Sequence, residues 1–101
     1  MARVILTTPA LRDLQEIRQY VERDSPRRAQ EVIRRIVAAA RRLESFPLSG
    51  RAIPLPGRAD IREILADRYR IIYQVTRSEV RVMMVHHTAR ELDLDELRRR
   101  L

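Results

Sequence analysis

The period of apolar positions changes along this chain, and the changes divide it into elements. Residues 3–7 (Arg-Val-Ile-Leu-Thr) are β-branched and apolar, which predicts a short strand. Leu11, Leu14, Ile17 and Val21 then recur at helical spacing behind Thr8 and Pro9, an N-cap followed by proline at the first helical position, and this helix is expected to stop near Asp24. Ser25 and Pro26 repeat the start signal. Ala29, Val32, Ile33, Ile36, Val37, Ala40 and Leu43 make one apolar stripe, which predicts a second helix to about Phe46, ahead of Pro47. The two helices form an antiparallel hairpin.

Residues 47–60 hold three prolines, both glycines and little periodicity, so they are expected to be a loop and the most mobile segment. A strand is predicted over 61–66. Another follows over 69–76, with Tyr69, Ile71, Tyr73 and Val75 on one face and Arg70, Ile72 and Gln74 on the other, the pattern of a half-buried strand. After a turn at Arg77 and Ser78, Val80, Val82, Met84 and His86 alternate with Arg81, Met83, Val85 and His87, closing a β-hairpin. Thr88 and Glu91 have the spacing of a capping box and open a last helix through Leu92 and Leu97 to Leu101. The expected fold is α+β, a small antiparallel sheet with an N-terminal helical hairpin packed on it, in the order β-α-α-β-β-β-α.

With 101 residues, 45% of them apolar, the chain is expected to be one domain, 1–101, with one modest core. The absence of cysteine excludes disulfides and thiolate chemistry and makes the cytoplasm the expected location. No apolar run is long enough for a bilayer and no secretory signal is expected. Net charge is +7, and all 21 basic residues are arginine. Arginine does not serve as a general base, but its planar fork binds phosphate and carboxylate in bidentate fashion, so the surface suits a polyanion or an acidic protein. Arginine pairs at 27 and 28, 34 and 35, and 41 and 42 repeat every seven residues along one side of the second helix and are read as a solvated face. Arginines 98–100 are read as a solvated helix end that favours the C-terminal dipole.

No glycine-rich phosphate loop, metal-ligand cluster or carboxylate pair is present in the sequence, and no cofactor or metal is expected. His86 and His87 are adjacent on a strand and point to opposite faces, so they do not chelate together, although either has a pKa suited to moving a proton. The remaining constellation is Arg51, Arg58, Arg62, Arg68, Arg70, Arg81 and Arg90, from the long loop, the strands and the last turn. Two readings stay open. Arg62, Arg70 and Arg81 share a basic concavity on neighbouring strands, or the arginines alternate with Glu63, Asp67 and Glu79 as exposed salt bridges. Tyr20, Phe46, Tyr69 and Tyr73 are expected mostly in the core, which leaves few aromatics for base stacking.

The runs Phe46-Pro47-Leu48-Ser49-Gly50-Arg51, Ile61-Arg62-Glu63-Ile64, Tyr69-Arg70-Ile71-Ile72-Tyr73-Gln74-Val75, Val82-Met83-Met84-Val85-His86-His87 and Ala89-Arg90 resemble the RelE/ParE family of toxins from type II toxin–antitoxin modules. The resemblance spans nearly the whole chain. It implies the same small sheet with a helical hairpin, and an acidic, partly disordered antitoxin that wraps the toxin in a hetero-oligomer. RelE-like members cut messenger RNA on the ribosome, which would make Arg62, Arg70, Arg81 and His87 catalytic, with Arg90 also holding phosphate. ParE-like members poison DNA gyrase and are not enzymes. Ile64 stands where the RelE-like pattern has a second basic residue, and no tyrosine or lysine follows Tyr73. The Pro-x-x-Gly-Arg loop at Pro47 and the His-x-x-x-Arg ending from His86 to Arg90 look more like the ParE side, for which Arg51, Arg58, Arg68, His86 and Arg90 are the binding candidates. The expectation is a gyrase-poisoning toxin, with the ribonuclease as alternative and a non-toxic basic nucleic-acid-binding domain as a weaker one.

Overall fold

A computed structural model describes residues 1–101 in the order β1 (Arg3–Leu6), α1 (Thr8–Glu22), α2 (Pro26–Arg41), a 3-10 turn (Arg42–Glu44), β2 (Arg51–Ala52), β3 (Ile61–Ala66), β4 (Tyr69–Val75), β5 (Glu79–His87) and α3 (Leu94–Arg100). The cap of α1 is Thr7, one residue earlier than expected. Its hydroxyl accepts from the Ala10 amide at 3.4 Å and donates to the Val82 carbonyl at 2.6 Å, so one side chain both starts the helix and pins it to β5. Ser25 caps α2 as expected, accepting from the Arg28 amide. The Thr88 and Glu91 capping box does not form. The Thr88 amide instead donates to the Arg68 carbonyl and the Ala89 amide to His87 Nδ1, and α3 starts behind Asp93, whose carboxylate accepts from the Asp95 and Glu96 amides.

The sheet order is β1-β5-β4-β3-β2, with β1 parallel to β5 and the other pairs antiparallel. It is therefore a mixed five-stranded sheet, not a wholly antiparallel one. The helical hairpin carries the chain from one sheet edge to the other, and the three antiparallel steps from β2 bring β5 back beside β1 in the same direction. On the hairpin side, Leu14, Val32, Ile36 and Leu43 pack on Tyr69, Ile71, Tyr73, Val80, Val82 and Val85. On the other side, Ile53, Leu55 and Leu97 cover Ile61, Ile72, Met83 and Met84. β4 is thus buried on both faces at Ile71 and Ile72, each fully inaccessible, where the alternation suggested one wet face. Tyr69 and Tyr73 are core, but Tyr20 and Phe46 are 69% and 64% exposed, contrary to the expectation for them.

The long loop is tied down. Tyr73 Oη donates to the Pro47 carbonyl and accepts from the Gly50 amide, both at 2.9 Å, while Ile53 and Leu55 are buried. A Cβ at Gly50 would sit 2.4 Å from Tyr73 Oη and 2.6 Å from the Glu63 carbonyl, so only glycine lets the loop approach. The C-terminal arginines are not all solvated: Arg100 donates to both oxygens of Asp13, at 2.6 and 3.1 Å, and to the Met83 carbonyl at 3.0 Å. Asp13 also accepts from the Val85 amide. Past Leu6, where β1 ends, this pair occupies the backbone groups that β5 would otherwise leave open. No helix is long and apolar enough to cross a membrane.

Candidate functional site: an oblique polar row on the sheet

One irregularity decides which side chains meet. Ile72 lies opposite Met84 and Tyr73 opposite Val82, so Met83 is an extra residue in β5 and its neighbours exchange faces. Strict alternation places His86 with Val80 and Val82. The bulge instead puts Val85 and His87 on the hairpin side and leaves His86 across from Arg70 on the opposite face.

A row of polar groups then crosses that face. Arg51 Nη2 lies 3.1 Å from Glu63 Oε1, and Arg70 Nη1 lies 3.8 Å from Glu63 Oε2, so one carboxylate, only 7% exposed, is shared by two arginines. Arg70 stands directly across from His86. Arg70 Nε and His86 Nε2 are both buried and neither has a hydrogen-bond partner. Burial lowers the His86 pKa, and the neighbouring positive charges of Arg70 and Arg90 lower it further, so the ring is neutral at physiological pH. Arg70 and Arg90 thus make this end of the face electropositive around His86, with a guanidinium N–H and a ring nitrogen whose hydrogen-bonding capacity the chain leaves unused.

The other candidate residues lie elsewhere. Arg62 faces the hairpin side opposite Tyr73 and donates to the Gly50 carbonyl at 2.7 Å, fastening the loop. Arg81 shares the face of Arg70, but it lies across from Gln74, four residues along β4 and about 13 Å away by strand rise, and it pairs with Glu79. The proposed concavity of Arg62, Arg70 and Arg81 is therefore absent. Arg58 forms a bidentate pair with Asp60, and that guanidinium, helped by Gln74, holds the Asp60 carboxyl down to about 2 against its burial. Arg68 is exposed in the β3–β4 turn. His87 stacks edge-on against Tyr69 at 5.3 Å, and its Nδ1 is taken by the Ala89 amide. Of the acids in the salt-bridge reading, Glu63 pairs with Arg51 and Arg70 but is buried, Glu79 pairs with Arg81, and Asp67 pairs with Arg35, an arginine of α2 expected on a solvated face. Glu63 as the shared carboxylate, and the Asp13–Arg100 pair, were not visible in the sequence, because their partners are brought together only by strand pairing and helix docking.

The model of the ParE toxin of type II toxin–antitoxin systems, parDE, matches residues 4–92. A Sinorhizobium fredii protein named as toxin Y4kP is 42% identical over 88 residues, covering 84% of this chain and 86% of that protein. Toxin RelE2 of Caulobacter vibrioides is 36% identical over 91 residues, covering 89% and 99%. Among solved structures, a chromosomal ParDE system from P. aeruginosa matches with a TM-score of 0.71 at 20% identity, over 86% of this chain and 96% of that one. The RelBE2 toxin–antitoxin complex of Mycobacterium tuberculosis matches with a TM-score of 0.62 at 24% identity, over 85% and 96%. At such identities the two structures speak for the fold, whereas the sequence matches carry the family: this chain belongs to the RelE/ParE family of toxins of type II toxin–antitoxin systems.

Proposed function

We propose that this toxin arrests growth by binding and trapping the complex of DNA gyrase with cleaved DNA, without performing chemistry itself, and that an acidic antitoxin neutralises it. The observation that supports a binding mode over a nuclease is the dispersal of the four residues a ribonuclease would use. Arg62 fastens a loop on one face, Arg81 lies with Glu79 at the far end of the other, His87 is stacked and hydrogen-bonded on the hairpin side, and Arg70, beside Glu63, stands apart from all three. Phosphodiester transfer needs its acid, base and charge-stabilising groups within about 3 Å of one reacting centre. That convergence is missing from the four.

The ribonuclease reading retains one specific support. Arg70 and a neutral His86 face each other with unpartnered nitrogens, a pairing suited to holding a phosphate and moving a proton. The test is to incubate purified toxin with gyrase, ATP and supercoiled plasmid, then denature with detergent and protease. Linear and nicked DNA rising with toxin concentration is expected, together with intact messenger RNA in a translating extract given the same protein. Cut messenger RNA with no gyrase-linked DNA breaks would reverse the assignment, and Arg70→Ala and His86→Ala would then abolish the cutting.

A further inference from the structure

At one end of the molecule the turn from α1 to α2 meets the β3–β4 turn and the end of β5. Arg35 Nη1 reaches Asp67 Oδ2 at 3.3 Å and ties α2 to the β3–β4 turn, while the Thr88 amide donates to the Arg68 carbonyl at 2.8 Å and ties that turn to the chain leaving β5. Only Asp67 and Arg68 join β3 to β4, and Asp67 takes a left-handed φ of 56°, which the short polar side chain of aspartate tolerates. Arg68 is thereby fixed at the tip. Burial raises the pKa of the adjoining Tyr69 and Asp67 raises it further, while the charges of Arg28 and Arg68 oppose them, so α2 and the turn bring both guanidinium groups toward one hydroxyl. Tyr20 of α1 is also within reach of that hydroxyl, yet its own ring is 69% exposed, with the Arg23 guanidinium 5.8 Å from the ring centroid. Arg23, Arg28 and Arg68 are exposed and make no ion pair within the chain. Of the acids nearby, Asp67 is taken by Arg35 and Glu22 lines the groove between the helices, which leaves Asp24 against three free guanidinium groups.

We propose that this end of the molecule binds DNA, with Arg23, Arg28 and Arg68 on backbone phosphates and the Tyr20 ring against an exposed base. The proposal takes its setting from the gyrase reading and adds a second partner, contacted by residues outside the row of Arg70 and His86. In a complex of gyrase with cleaved DNA, the cut ends expose base faces that an intact duplex keeps stacked, so the ring favours the broken state. An acidic peptide answers the arginines alone. A nucleic acid supplies both the phosphates and a flat face for the ring.

The experiment measures binding of purified toxin to a fluorescent 20-base-pair DNA duplex with a four-nucleotide overhang, by anisotropy at several salt concentrations. Binding by the wild type that weakens as salt rises is expected. Arg28→Gln/Arg68→Gln is expected to lose about tenfold or more and to lower the slope of log affinity against log salt by about two, one for each phosphate contact removed. Tyr20→Ala is expected to lose about fivefold or more on the overhang and less on a blunt duplex, with Tyr20→Phe binding as the wild type does. Arg3→Gln/Arg77→Gln makes the same change in net charge at the opposite end of the sheet, where Arg3 lies across from Glu79, and is expected to cost about twofold or less. All of these side chains are exposed, so unfolding midpoints are expected to match the wild type, which separates lost contacts from lost folding. No duplex binding by the wild type at low salt, equal losses at the two ends, or loss of antitoxin affinity with duplex affinity kept would each overturn the proposal, the last by placing an acidic protein at this end. With gyrase and plasmid present, Arg28→Gln/Arg68→Gln is expected to yield fewer DNA breaks than the wild type. If the wild type yields none while the duplex results stand, the gyrase reading fails alone. If the double variant yields as many breaks as the wild type and binds the duplex equally well, the DNA site fails alone.

Discussion

Arg100 and Arg70 are buried to nearly the same degree, 16% and 22% exposed, yet the fold treats them in opposite ways. Arg100 sits on α3 with donors placed on both oxygens of Asp13, on the Met83 carbonyl and on Glu96, and this pairing raises its pKa. Every contact closes a gap within the molecule. Arg70 has one long contact to Glu63, and its Nε is sealed from water with nothing to accept from it, opposite a histidine in the same state. A buried donor without an acceptor costs about 1–3 kcal/mol. The difference separates an arginine whose guanidinium the fold uses on several acceptors from one whose Nε donor the fold leaves unused.

The largest expected effect lies on the closed side of this comparison. Gly50→Ala drives a Cβ into Tyr73 Oη and the Glu63 carbonyl, and about 3 kcal/mol of stability should be lost in urea unfolding, since backbone cannot yield as a flexible side chain does. Arg100→Ala strands Asp13 as a half-buried carboxylate and should cost about 2 kcal/mol, with Asp13→Asn/Arg100→Ala costing less than the sum of its parts in a double-mutant cycle. Arg70→Met should change stability by about 1 kcal/mol or less, because it removes an unsatisfied group and keeps the volume. Equal costs at Arg70 and Arg100 would end the distinction drawn between them.

The smallest effect is one of pH. The His86 pKa is lowered in the fold, first by burial and then by Arg70 and Arg90, so between the ordinary histidine value near 6.5 and the folded one the unfolded chain holds the extra proton. Stability should therefore fall as pH drops below that ordinary value, and His86→Gln should remove part of the slope in denaturation curves taken from pH 7 to 5. An unchanged slope would place His86 in water. Asp60 acts at the other extreme, since its carboxyl is held down to about 2 by Arg58, so its contribution is full above the ordinary carboxylate value and disappears only as pH falls through about 2.

Much of this fold is local and was legible. Ser25-Pro26 starts α2 because a hydroxyl acceptor and a preset proline φ serve any helix start, whatever surrounds it. The stripes of α1 and α2, the strand over 61–66, the strand expected over 69–76 and found over 69–75, the +7 charge and the family runs were likewise carried by short-range pattern. The capping box at Thr88 does not form because the Thr88 amide goes to the Arg68 carbonyl, a partner distant in the chain that pattern does not show, while the next amide, that of Ala89, turns back to His87. The parallel pairing of β1, the cover that α3 and the loop lay over Ile72, and the Asp13–Arg100 pair depend on contacts between residues far apart in the chain.

What the sequence determined by itself was the set of elements, the apolar faces and a surface of arginine, because helical and strand periodicity and side-chain charge are properties of neighbours. Which arginines meet was decided by tertiary structure alone. A single extra residue at Met83 reverses the faces of the last part of β5 and brings His86 to Arg70, since in a strand of period two one inserted residue moves every later side chain to the other side of the sheet.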